Sequence, residues 1–227
     1  MYKYETHLHT SPVSKCARSS VRDTLMLYKS LGYEGVFITN HFLQGNMTRP
    51  EGMTEYQDLI NFYFSDYEAG AEMADEIGLK VFPAVEISYG GTDFLVFGLD
   101  KEWFLSHPEI IGMKMSDELR LMRDAGAFIS QAHPFRKAEY IDHIRLFTEC
   151  VEAIEVINAS RNDFENSLAD HIATAYGLLK TAGSDTHSAS PKKHLAGMAF
   201  KTPLVDVQDF IKRVREGECE IFHDFFE

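Results

Sequence analysis

Residues Ser20 to His41 read SVRDTLMLYKSLGYEGVFITNH, and this stretch decides how the chain folds. Val21, Leu25, Tyr28 and Leu31 recur at helical spacing, so Ser20–Leu31 carries one apolar face. Gly32 stops that helix, because a residue without Cβ closes a helix end in the left-handed conformation at little cost. The run that follows, Gly35–Thr39, is short and apolar as a buried strand should be, and His41 stands just beyond its end.

The same unit repeats along the chain. Strands are expected at Tyr2–Thr6, Gly35–Thr39, Lys80–Val85, Phe94–Leu99, Ala127–Gln131, Ala153–Ile157 and Leu178–Ala182. Helices are expected at Ser20–Leu31, Gln57–Ile77, Ser116–Ala125, Ala138–Phe147, Asn162–Tyr176 and Val205–Arg215, most of them followed by glycine. Such alternation belongs to an α/β chain with a largely parallel sheet, and its regularity favours a barrel over an open sheet. No repeat or linker-like stretch divides residues 1–227, so a single domain is expected.

Composition narrows the function. Among 227 residues, 35 acidic side chains face 22 basic ones, for a formal charge of −13. That balance argues against an extended nucleic-acid surface, which needs clustered Lys and Arg. It also demands a strong local positive charge if the substrate is an anion. The first residues show no apolar signal-peptide core, and no apolar run is long enough to span a bilayer. The three cysteines, Cys16, Cys150 and Cys219, form no CxxC pair, and the reducing cytoplasm is the expected compartment.

The histidines fall where chemistry falls in α/β folds, at the C-terminal ends of strands. His7 and His9 follow the first strand, His41 the second, His133 the run Phe128–Ala132, and His187 the run beginning at Leu178. Glu86 and Asp185 share this placement. In an extended chain the two rings of His7-Leu8-His9 point to the same side, so both can bind one ion. Imidazole and carboxylate together are the ligand set of zinc, manganese or iron. A single ion needs three or four protein ligands, and the five histidines and two carboxylates here exceed that. Two or three divalent ions are therefore expected, with a carboxylate between them. His107, His143, His171 and His223 read as ordinary polar residues.

His7-Leu8-His9, Thr39-Asn40-His41, Glu86, Ala132-His133-Pro134 and Ser184-Asp185-Thr186-His187, in this order, resemble the motifs of the PHP (polymerase and histidinol phosphatase) family. The resemblance runs from Glu5 to Pro191. It implies a distorted (β/α)7 TIM-like barrel and a metal-dependent phosphoesterase with a trinuclear site. By position, His7, His9, Glu86 and Asp185 would hold a first ion, and Glu86 would bridge to a second that adds His133. Asp93 stands where the family commonly has histidine. His41 and His187 would hold a third ion. The family's further ligand there is missing, and Cys16, one residue beyond the expected spacing, is the available substitute. Glu5 and Asn40 replace aspartates and are expected to accept hydrogen bonds from ligand imidazoles.

For the substrate's phosphoryl oxygens, Arg18, Arg136, Arg161 and His194 are the candidate contacts, with Lys192 and Lys193 read as a solvated loop. The expected reaction is hydrolysis of a small phosphate monoester by a hydroxide bridging the ions, with Glu86 and Asp185 as the catalytic carboxylates. The alternatives are an amidohydrolase-like C–N hydrolase and a nuclease acting on nucleic-acid ends.

Overall fold

The computed structural model describes residues 1–190 and 193–226. In chain order these form β1 (Tyr2–Leu8), α1 (Val21–Ser30), β2 (Gly35–Ile38), α2 (Tyr56–Ile77), β3 (Lys80–Tyr89), β4 (Thr92–Phe97) and α3 (Lys101–Ser106). A 3-10 turn at Pro108–Ile110 leads to α4 (Met115–Asp124), β5 (Phe128–Ala132), β6 (Ala153–Asn158), α5 (Asp163–Tyr176), β7 (Leu179–Gly183), β8 (His194–Phe200), α6 (Val207–Glu216) and β9 (Cys219–Phe225). α1, α5 and α6 begin where short polar side chains cap them: Ser20 accepts from Asp23 N–H, Asn162 from Glu165 N–H and Asp206 from Asp209 N–H.

All nine strands join one sheet, ordered β7-β6-β5-β4-β3-β2-β1-β8-β9. The sheet curls until its far side meets β1: Leu8 bridges Thr186 just past β7, His9 N–H donates to the Thr186 carbonyl at 2.8 Å, and the Thr6 hydroxyl donates to the Ala182 carbonyl. The result is a nearly closed, barrel-like sheet.

It departs from seven β/α repeats in three places. β3 and β4 are joined by the two-residue turn Gly90-Gly91, with φ of 56° and 84°, so β4 runs antiparallel between β3 and β5. Both turn residues occupy the left-handed region that a tight hairpin of this kind requires. β8 and β9, absent from the sequence expectation, pair antiparallel to each other, and β8 pairs antiparallel to β1. Residues 138–147 form turns and irregular chain where a helix was expected. Gln131 explains this: its side-chain nitrogen donates to the Arg145 carbonyl at 2.7 Å and its oxygen accepts from Phe147 N–H at 3.0 Å. The segment bonds to the sheet instead of to itself.

Strand alternation stacks the barrel interior into an apolar floor and a polar top. Phe82, Ala84 and Glu86 share one face of β3, and Phe97, Leu95 and Asp93 share one face of β4. The apolar members of these rows join Tyr4, Phe37, Phe128, Phe200 and Phe210 in one buried cluster. Phe210 of α6 plugs the floor, its ring centroid 4.6 Å from Phe37 and 5.0 Å from Phe97. In β1 the register shifts between Glu5 and Leu8, which lets Tyr4 and His7 both face inward although three positions apart.

Buried acids also lie outside this interior, on the helices. Glu118, in the first turn of α4, is 1% exposed and accepts one hydrogen bond, from Gln44 at 3.1 Å. Burial pushes its carboxyl up to about 7. The unfolded chain releases this proton near pH 4.3, so folding stability falls as pH rises from there towards 7. Glu118→Gln is therefore expected to be more stable than the parent by about 3 kcal/mol at pH 8 and equal to it at pH 4. Thermal melts at the two pH values check this.

Candidate metal centre

The polar top of the barrel gathers side chains from five strands and the loops that follow them. Glu86 sits at the middle. Its Oε1 lies 3.3 Å from His7 Nε2 and 3.6 Å from His133 Nε2, and its Oε2 lies 3.4 Å from His9 Nε2 and 2.6 Å from His41 Nδ1. Asp185 closes the other side: Oδ1 is 3.6 Å from His7 Nε2, 3.4 Å from His9 Nε2 and 3.4 Å from His187 Nδ1. Three overlapping sets have potential ligand atoms within 4.8 Å of one another: His7, His9 and Asp185; His7, Glu86 and His133; His9, His41 and His187.

A cation fits this arrangement. His7 Nε2, His9 Nε2, His133 Nε2 and Glu86 Oε1 are buried and have no hydrogen-bond partner. Leaving so many buried polar atoms unpaired is costly, and a divalent ion satisfies several at once. The protonation of the cluster agrees. Burial opposes charge on His7 and His41, yet Glu155, Asp185 and Glu86 around His7, and Glu86 beside His41, raise both rings well above the usual histidine range. Burial likewise opposes ionisation of Glu86 and Asp185, but the neighbouring imidazoles, His41 and His7 respectively foremost, hold both carboxyls well below theirs. His9 is pushed down to about 3 by burial and by His41. Protons here do what a cation does, and a cation displaces them.

Two of the residues sit on strained backbone. His133 and Asp185 have φ of 26° and 54° without being glycine. Such conformations cost about 1–3 kcal/mol each and persist where surrounding structure enforces them. For His133 the enforcement is visible: its N–H donates to Glu155 Oε2 at 3.0 Å.

A cleft of about 520 Å³ opens above the cluster, lined in part by Cys16, His41, Asp93, Arg136, Tyr140 and His187. Arg136 pairs with Asp93 at 2.9 Å and packs on the Tyr140 ring. Burial raises the Cys16 thiol, but His187 and His41 outweigh it and bring the group down to about 6.

No family model and no curated protein matches the chain. Solved structures do. A two-domain protein from Bacteroides vulgatus containing a predicted PHP-like metal-dependent phosphoesterase superposes with a TM-score of 0.69 at 15% identity, over 97% of this chain and 64% of that one. PsfC from Pseudomonas syringae gives 0.64 at 17% identity, over 99% of this chain and 91% of its own. A candidate metal-dependent phosphoesterase from Bifidobacterium adolescentis gives 0.57 at 15% identity, over 93% and 95%. The chain has the PHP-like fold.

Within the PHP-like fold, the residues expected at the three ion positions come together, with two differences at the margins. Asp93 reaches the cluster from the start of β4 because that strand is antiparallel, but its Oδ2 stays 3.9 Å from His133 Nε2 and pairs with Arg136. Cys16 lies beside His41 and His187 at the cleft wall. Of the expected phosphoryl contacts, only Arg136 lines the cleft among the described residues. Arg18 is exposed, and Arg161 follows the turn whose Ser160 hydroxyl donates to the Ser184 carbonyl at 2.8 Å. His194 opens β8 rather than a loop, and its ring packs on Phe225 at 4.9 Å. Lys192 lies outside the described residues.

Glu5 does not meet an imidazole. Its Oε1 accepts from the backbone N–H groups of His7 and Ser184, and its Oε2 from the Tyr28 hydroxyl. The carboxylate that does is Glu155 of β6, whose Oε1 lies 2.8 Å from His7 Nδ1 and whose Oε2 also accepts from Asn158 Nδ2. A histidine held through its far nitrogen by a carboxylate is oriented for metal. Sequence reasoning passed over Glu155, although an acid inside the apolar run Ala153–Ile157 was the available signal.

Proposed function

We propose that the chain is a metal-dependent phosphoesterase that hydrolyses a small phosphate monoester. The observation that carries this reading is the set of buried, unpartnered imidazole and carboxylate atoms around Glu86 at the foot of an open cleft. The likeness in fold to PHP-like phosphoesterases supports it. His7, His9, His41, Glu86, His133, Asp185 and His187 would hold two or three divalent ions, zinc, manganese or iron, with Asp93 and Cys16 as marginal ligands. When bound, such ions neutralise phosphoryl charge and make water nucleophilic at neutral pH.

The chain's own residues do the rest. Glu86 presents one oxygen to His7 and His133 and the other to His9 and His41, so it would be shared by the ligands of two ions. Asp185 is kept ionised by its histidines and faces the same space. Arg136, anchored by Asp93, has a buried Nε–H without a partner and is placed to donate to a phosphoryl oxygen. Arg161 also has a buried, unpartnered Nε–H and remains a proposed contact. We take residues 1–227 as one catalytic domain. The compartment proposed is the cytoplasm, in keeping with three free cysteines; no helix among the described residues is long and apolar enough to cross a membrane.

Elemental analysis of purified protein should find two or three equivalents of metal. Phosphate release from a monoester panel should disappear on chelation and return with zinc, manganese or iron. Protein that neither binds these metals nor gains phosphatase activity from them overturns the proposal, and amide hydrolysis in a parallel panel redirects it to C–N chemistry.

A further inference from the structure

His9 is held differently from His7. Its Nδ1 lies 3.2 Å from the Ser14 hydroxyl oxygen, with no carboxylate in contact on that side. The hydroxyl is itself held. Ser14 Oγ donates to Asn40 Oδ1 at 2.8 Å and accepts from His41 N–H at 3.0 Å. Asn40 in turn donates through Nδ2 to Asp66 Oδ2 at 3.0 Å, and Asp66 sits on α2, 3% exposed. Asp66 Oδ2 also accepts from the Thr10 hydroxyl at 2.7 Å and Val13 N–H at 3.3 Å.

The polarity of this chain is determined from its far end. A carboxylate oxygen accepts only, so the Asn40 nitrogen must face Asp66. Asn40 Oδ1 then faces Thr10 N–H, which donates to it at 2.7 Å, and both ends of the amide agree. Ser14 must spend its one proton on Asn40 Oδ1. What it has left for His9 is a lone pair, so His9 must carry its proton on Nδ1. That leaves Nε2 bare, 3.4 Å from an oxygen of Glu86 and 3.4 Å from one of Asp185. A bare nitrogen among carboxylate oxygens is complementary to a cation and to little else.

We propose that Asp66 is a positioning residue for the metal centre, setting the tautomer of His9 through Asn40 and Ser14. Asn40 occupies the place of an expected aspartate, and in this chain the charge stands one link further out, on α2. The inference rests on His9 being a metal ligand, and its test separates the two ideas.

Ser14→Ala should weaken metal binding about 10- to 100-fold, the usual cost of losing a ligand's outer partner. Asp66→Ala, which removes the acceptor facing Asn40 Nδ2, should weaken it by a smaller factor. Asp66→Asn, whose side-chain oxygen can still accept from Asn40 Nδ2 and from Val13 N–H, should hold the affinity to within a few-fold of the parent. The readouts are affinity by chelator competition, and the His9 tautomer by long-range 15N–1H correlation in metal-stripped protein. Thermal melts show that each variant folds. Protonation of His9 on Nε2 in the parent overturns the inference, as does a Ser14→Ala protein with unchanged affinity and tautomer. A parent that binds no metal yet shows Nδ1–H on His9 overturns the proposed function and leaves the relay standing.

Discussion

Glu86→Ala should reduce metal-dependent turnover by at least about a thousandfold, well beyond the roughly 10–100-fold typical of changes in a metal's outer partners. Both oxygens of this side chain face imidazoles of two ligand sets, so its loss opens both at once. At least one metal equivalent should be lost with the activity. The folded protein should survive, because the residues removed from contact are polar and lie at the open end of the barrel, above a floor built from Phe37, Phe97 and Phe210. Metal content, turnover and a thermal melt on one preparation check all three statements. Full metal content with full turnover would remove Glu86 from the centre.

Gly183→Ala should be the most damaging single methyl group near the site. A Cβ there would stand 2.4 Å from His7 Cβ, 2.9 Å from Glu155 Oε1 and 3.1 Å from His7 N. None of these is the free end of a flexible chain. β1 and β7 are hydrogen-bonded on either side of this contact, so they cannot easily part. Overpacking of this kind costs about 1–3 kcal/mol, at times more, and the strain falls on the Glu155–His7 bond. We expect a Tm lower by several degrees and, separately, weaker metal binding in the protein that remains folded. A chemical denaturation curve and a chelator titration distinguish the two losses. Unchanged values in both would show that the two strands separate freely.

The seven expected strands are all present, most of them as compact apolar runs closed by polar or turn residues. β8 escaped because its sequence, HLAGMAF, is rich in small residues with weak strand preference. Its Gly197 exists for a tertiary reason: a Cβ there would lie 2.2 Å from the Tyr4 carbonyl oxygen. The expected helix at Ala138–Phe147 was a true local pattern, Ile141, Ile144 and Phe147 at spacing three, that Gln131 overrules from another element. At the site, residues at the ends of parallel strands were legible because that position has chemical meaning in any α/β sheet. Asp66 and Ser14 were not, since nothing local marks a helix acid or a loop serine as the partner of a distant histidine. Arg136 was visible as a charge, but its anchorage on Asp93 depends on the direction of β4.

The Gly90-Gly91 hairpin lines the cleft, while the strands it joins carry Glu86 and Asp93 below. Lengthening such a tip costs little, since closure entropy grows only with the logarithm of loop length. The ladder beneath it holds six residue pairs, Ala84–Phe97 through Tyr89–Thr92, and does not depend on what the tip contains. Under the proposed function, recognition and catalysis would thus be inherited separately: insertions at one turn would reshape the mouth and change which leaving groups enter, while selection on the rows that carry Glu86 and Asp93 continues undisturbed.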